Sequence, residues 1–181
     1  LNPEEAVNAL DTMYAWTASL FPARARIARF LLGLEPSAET VALQIKMLKD
    51  EDVVVRALAA LGLGKAGQLA QPATGTLGKL AFKGKRPVAR NAVMALGRIG
   101  DPCSVVVLLK ALQYEHITDV ARDALVQIGE PAVLPLLKKS LGQNTPMGIY
   151  HLLIRIGEPA VPVLFEQSVL ASLKGDKAGD L

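Results

Sequence analysis

Residues 62–67, Gly62-Leu63-Gly64-Lys65-Ala66-Gly67, carry the G-x-G-x-x-G spacing of a dinucleotide-binding turn. In such a turn the glycines let the backbone approach a pyrophosphate held at a helix N-terminus. That chemistry needs a strand directly before the first glycine and an acidic residue about 20 positions later to hold a ribose. Val53-Val54-Val55 lies upstream like a strand, but Arg56 to Leu61 continues a helical pattern and the acidic residue is missing. The stretch is expected to be a Gly-rich helix stop, with no cofactor bound.

His116, His151 and Cys103 are the only residues of their types. A single adjacent Glu115-His116 pair does not supply a metal's ligand set, and one cysteine without a histidine partner does not make an activated nucleophile. Nor can Cys103 form a disulfide within the chain. No catalytic residue, no metal ligand and no cofactor are expected. Cys103 should be a small buried side chain near a helix start, His116 a solvated loop residue and His151 a surface residue. Arg56, Arg90 and Arg122 suggest a ladder, but aligned on the glycines Arg90 corresponds to Asp119 and Arg56 to Asn91, so no ladder is expected.

Charge says more. Residues 1–52 hold 5 basic and 8 acidic groups, 53–100 hold 8 basic and none acidic, and 101–181 hold 7 and 9. In the middle block Lys79, Lys83, Lys85, Arg86 and Arg90 surround a turn at Gly84. An uncompensated basic cluster attracts an acidic partner most strongly at low salt, and it would also suit nucleic acid phosphates. Single-strand binders add aromatic stacking platforms, whereas the only aromatic in this block is Phe82. An acidic protein surface is therefore preferred to nucleic acid.

The elements that must position these residues are repeated. IGEPAV occurs at Ile128 to Val133 and again at Ile156 to Val161, and a weaker IGDPCSV runs from Ile99 to Val105. The preceding phrases align as ALGRIG from Ala95, ALVQIG from Ala124 and LLIRIG from Leu152, with a less regular copy at Ala60-Leu61-Gly62. Ile128, Leu125, Ala124 and Ala121 fall on one helical face, as do Ile156, Leu153, Leu152 and Ile149. After the hinge, Val133, Leu136, Leu137 and Leu141 form another such face, and Val161, Leu164, Phe165 and Val169 repeat it. The glycine closes one helix in the left-handed region and the proline starts the next, with the acidic residue between them expected as N-cap.

A period near 30 residues with two helices per unit marks an α-solenoid, in which each unit buries its apolar face on its neighbours. At these residues the chain resembles HEAT-like repeats, of the short variety named after phycobilisome lyases. The likeness is closest over Val88 to Ser140, extends to about Leu173, and is weaker over Ser37 to Ala81. The His-Glu pairs with which some HEAT-like hydroxylases hold iron are not reproduced here. The expected fold is all-α, a right-handed solenoid of about five helix pairs over 37–173. Residues 1–36 should be a helical cap or a degenerate repeat, and 174–181 a frayed tail. Asn2-Pro3-Glu4-Glu5 should open a helix to about Leu20, with a second to about Leu32 and a third beginning at Ser37.

The expected function is a non-catalytic protein-interaction scaffold. By resemblance, the second helix of each unit would line the concave side, presenting Asn91, Arg98, Asp123, Gln127, His151 and Arg155, with Tyr150 and Ile154 as apolar anchors. The alternatives are a subunit of a bilin lyase, implied by the resemblance, and an anion or nucleic-acid binder using Lys79, Lys83, Lys85, Arg86 and Arg90. Self-association through terminal helices such as Pro159 to Leu173 is a further expectation. The longest run free of Asp, Glu, Lys and Arg, Ser140 to Ile154, is too short to span a bilayer, so no transmembrane segment is expected. A cytoplasmic location is the expectation, although Leu1 is not a native start from which a compartment can be read.

Overall fold

The computed structural model describes residues 2–17, 21–140, 148–157 and 160–161, and the regular elements among them are all helical. Asn2 opens α1 (Pro3–Trp16) through a capping box, its Oδ1 accepting from the Glu4 and Glu5 amides at 2.7 and 3.3 Å. The Glu5 carboxylate accepts in return from the Asn2 N–H at 3.2 Å. This helix ends at Trp16, short of Leu20. Pro22 falls in the first turn of α2 (Phe21–Leu31), where its missing N–H costs least. Ser37 caps α3 (Ala38–Met47), and Asp52 caps α4 (Val53–Ala66) by accepting from Val54 and Val55 at 2.6 and 3.0 Å. The valines thus start a helix, not a strand. A 3-10 segment, Gly67–Ala73, leads into α5 (Thr74–Lys83). Then come α6 (Arg86–Ile99), α7 (Ser104–Ala111), α8 (Thr118–Ile128), α9 (Glu130–Ser140) and α10 (Gly148–Ile156).

The hinges work through glycine backbone. Gly100, Gly129 and Gly157 close α6, α8 and α10 at φ of 73°, 74° and 73°, with open space where a Cβ would be. It is therefore the backbone angle, not crowding, that asks for glycine there. The acidic residue of the phrase is not an N-cap as expected. Asp101 accepts from the Cys103 amide at 2.9 Å in a turn ahead of α7, and Glu130 is itself the first residue of α9. The Ala132 amide donates to the Gly129 carbonyl at 2.9 Å, so the first bond of α9 is accepted by the hinge glycine itself. Residues 158 and 159 of the third copy lie outside the described residues.

The helices stack in two layers. In one, α2, α4, α6, α8 and α10 each pack on the next. In the other, α1 packs on α3, α5 on α7 and α7 on α9, with the 3-10 segment between α3 and α5. Crosswise, α1 meets α2, α3 meets α4, α5 meets α6, α7 meets α8, and α9 meets α10. The core between them is the aliphatic set the repeat foretells: Ala121, Ala124, Leu125 and Ile128 are buried, as are Ile149, Leu152, Leu153 and Ile156. Val133 and Leu136 are buried too and Leu137 is partly buried, whereas Val161, expected on the corresponding face, is 61% exposed; Leu141, Leu164, Phe165 and Val169 lie outside the described residues. Each fully buried leucine of this kind contributes about 1.5–3 kcal/mol.

The register of α4 corrects the alignment made on Ala-Leu-Gly. Gly67, like Gly100, has positive φ and closes its helix, which sets Gly64 opposite Gly97, and Gly62 opposite Ala95. Packing agrees: a Cβ on Gly64 would stand 3.0 Å from the Ala95 Cα on α6, and one on Gly97 would stand 2.6 Å from the Ala124 Cα on α8. Gly62 faces the Gln44 side chain of α3 instead. Arg56 consequently matches Ala89 and not Asn91. The continuous helical run Val53–Lys83, 31 residues, is long and apolar enough by length and composition to cross a membrane. Leu63 and Leu77 of this run are fully buried in the stack, whereas Val54 and Leu69 are exposed.

Candidate functional site

Arg98, Gln127 and Arg155 occupy one position in three successive helices, two residues before the glycines that close α6, α8 and α10, and all three are exposed. Asp123 and His151 lie one turn earlier on α8 and α10 and are exposed as well. The Arg155 guanidinium donates to the Asp123 carboxylate at 3.0 Å, linking α10 to α8. A second pair links α6 to α8: Arg90 donates twice to Asp119, both at 3.0 Å, and once to the His116 carbonyl at 3.4 Å. The guanidinium hydrogen bond, ahead of the Val120 amide, holds the Asp119 carboxyl below the usual carboxylate range. Ile154 stands 74% exposed on the same helix as Arg155.

Two residues of this layer serve the stack. The half-buried Asn91 amide donates to the Ala57 carbonyl of α4 at 2.8 Å, so that donor joins two helices and is not available to a partner. Lys65, the α4 counterpart of Arg98, donates to the Leu32 and Leu34 carbonyls at 3.2 and 3.5 Å, just past the end of α2. Tyr150 lies in α10, and its side chain is outside the described residues.

The basic turn is redrawn by the structure. Lys79, Lys83, Lys85 and Arg86 are exposed and make no ion pair with another described residue, whereas Arg90 is committed to Asp119. Lys110, absent from the cluster read in sequence, joins it from α7. Its ammonium sits 4.9 Å from the Phe82 ring centroid, within cation–π range. Phe82 is half-buried and also packs against Tyr114, centroids 5.3 Å apart. Cys103 corrects its expectation: it is exposed, because the turn after Gly100 puts Ser104 at the buried first position of α7.

A third cluster lies where α1, α2 and the α3–α4 turn meet. The Asp50 side chain is 0% exposed, and Arg24 approaches it at 3.4 Å from a side chain 13% exposed. The Tyr14 hydroxyl and the Asp52 amide, the latter at 2.7 Å, also donate to that carboxylate. Burial first, then the hydrogen bond to Asp50 and its charge, pushes the Tyr14 phenol well above its ordinary value. In sequence Asp50 is one of three consecutive acidic residues, and nothing there marks it as the buried one. The geometry is that of a structural clasp.

Among the described residues no group of three or more His, Cys, Asp or Glu side chains is gathered as a metal site. His116 is exposed, its ring edge-on to Tyr114. Residues 41–126 match the family model described as HEAT repeats. No curated protein matches the sequence.

Proposed function

The chain is a HEAT-like repeat protein, and we propose that it is a non-catalytic scaffold that binds a protein partner along the α6, α8 and α10 layer. HEAT repeats generally serve as protein-interaction scaffolds. One observation carries the choice of surface: Arg98, Gln127 and Arg155 recur at one register position in three consecutive helices and are exposed in each. The aliphatic core and the inter-helix ion pairs fix the spacing of this row, so a partner docks without first ordering it. The 74% exposed Ile154 adds an apolar contact beside Arg155. The same reading treats α1 and α2 as a further, degenerate unit of the stack.

The test is capture of partners on the tagged chain, with nuclease treatment and a high-salt wash, compared between the parent and an Arg98→Glu, Arg155→Glu double variant. A nuclease-resistant protein retained by the parent and lost by the double variant is the expected result. Loss only on Lys83→Glu with Arg86→Glu would move the function to the basic turn, and recovery of nuclease-sensitive material alone would make the partner a nucleic acid.

A further inference from the structure

We propose that the groove between α5 and α7 docks an acidic segment of a protein partner, one carrying an apolar side chain between carboxylates. This rests on the reading of the chain as a protein-binding scaffold and adds a second surface, on the other helix layer. The groove is open, with a volume of about 610 Å³. Its floor on α5 lacks side chains at Gly75 and Gly78. A Cβ at Gly75 would meet nothing within 4 Å, and one at Gly78 would only touch a Val107 methyl at 3.4 Å. Phe82 and Val107 line the trough, so an apolar side chain finds apolar contact there.

The rim is cationic. Lys79 and Lys83 border the groove from α5 and Lys110 from α7, and Lys79 and Lys83 have no ion-pair partner among the described residues. Among the described residues Asp101 is the one carboxylate along the groove, and it accepts from the Cys103 amide. Cations around an apolar trough are complementary to carboxylates around an apolar side chain. A nucleic acid fits less well. The Phe82 ring is a lone aromatic in the groove lining, already packed against Lys110 and Tyr114, so it supplies no series of stacking platforms, and a phosphodiester chain has no group suited to the trough.

Fluorescence anisotropy on the full chain tests this, with a labelled short peptide in which leucines are flanked by glutamates. Matched probes replace the leucines by serine, or the peptide by an oligodeoxythymidylate of equal charge. The leucine–glutamate peptide should bind saturably and release as salt rises. Lys79→Glu with Lys83→Glu, and separately Gly75→Leu, which fills the trough from a position with open space, should each weaken it by about tenfold or more. Thermal melting verifies that both variants stay folded, and Arg122→Glu, a charge reversal at an exposed residue outside the groove lining, should bind like the parent. Absence of saturable binding, unchanged affinity in a folded Gly75→Leu variant, or equal binding of the serine peptide would overturn the proposal. Tighter binding of the oligonucleotide would overturn it in favour of nucleic acid. None of these outcomes bears on the α6, α8 and α10 surface, which is read by the loss of a captured partner on Arg98→Glu with Arg155→Glu.

Discussion

Gly97 on α6 approaches Ala124 on α8 so closely that a Cβ on Gly97 would stand 2.6 Å from both the Cα and the Cβ of Ala124. Gly97→Ala is therefore expected to lower stability by about 1–3 kcal/mol, through overpacking that outweighs the helix preference of alanine. Gly64→Ala, with its nearest neighbour the Ala95 Cα at 3.0 Å, should lose less. Adding Ala124→Gly to Gly97→Ala should restore only part of the loss, because it removes the crowding Cβ and leaves the backbone of α8 where it was. Urea midpoints at equal m-value would show this order, and a Gly97→Ala protein as stable as the parent would mean that the helices part readily.

The hinge glycines should respond for a different reason. Gly100 sits at φ 73°, ψ 13°, in the left-handed well, so Gly100→Ala costs about 1–2 kcal/mol. Gly129 shares the φ, 74°, but at ψ −131° it lies in a region open almost only to glycine, and Gly129→Ala should cost more, up to about 3 kcal/mol. Gly75→Ala, in an α-helix and facing open space, should instead stabilise by about 0.5–1 kcal/mol. Melting curves of the three alanine variants separate backbone strain from crowding. A destabilising Gly75→Ala would contradict the open groove floor.

The hinge glycines were legible because positive φ is a local requirement that glycine meets in each repeat; the proline reading holds at Pro131, in the first turn of α9, whereas Pro102 stays in the turn ahead of α7 and residue 159 lies outside the described residues. The cap at Asn2 was legible for the same reason, and so was the start of a helix at Ser37. Register in α4 was not, since the Ala60-Leu61-Gly62 phrase imitates Ala95-Leu96-Gly97, and only packing against other helices distinguishes Gly64, against Ala95, from Gly62, against Gln44. Lys110 escaped notice because α5 and α7 meet across a repeat boundary. The exposure of Cys103 followed from a turn geometry that the Asp-Pro phrase does not specify. The exposure of Arg98, Gln127 and Arg155 follows from the helical period, whereas the inward bond of Asn91 to the Ala57 carbonyl depends on how α6 packs on α4 and has no mark in the sequence.

The ion pairs across α6, α8 and α10 should set geometry more than stability. Arg155 and Asp123 are 43% and 60% exposed, so Asp123→Asn is expected to cost about 0.2–1 kcal/mol, less at high salt. The Arg90–Asp119 pair adds an acid dependence. Its lowered carboxyl pKa gives a contribution that is present above the unfolded value near 4 and lost as pH falls through the lower folded value. Comparing the parent with Asp119→Asn in mild denaturant should show a stability gap that closes on acidification. A gap that stays constant to low pH would argue against the pairing.

Asp50 offers the opposite case, a charge whose removal should be costly. With its side chain wholly buried and Arg24 13% exposed beside it, Asp50→Asn leaves a guanidinium largely out of water with no counter-ion, and about 3–5 kcal/mol should be lost. Tyr14→Phe removes one hydrogen bond to a charged acceptor and should cost about 1.5–3 kcal/mol at neutral pH. Burial and the Asp50 carboxylate raise the Tyr14 pKa in the folded state, so the unfolded chain sheds that proton first. This contribution is complete below pH about 10 and declines as pH rises through the interval up to the folded value. Alkaline denaturant titrations should therefore show the difference between parent and Tyr14→Phe narrowing above that pH. A difference that holds steady would place the phenol in water and separate α1 from the clasp.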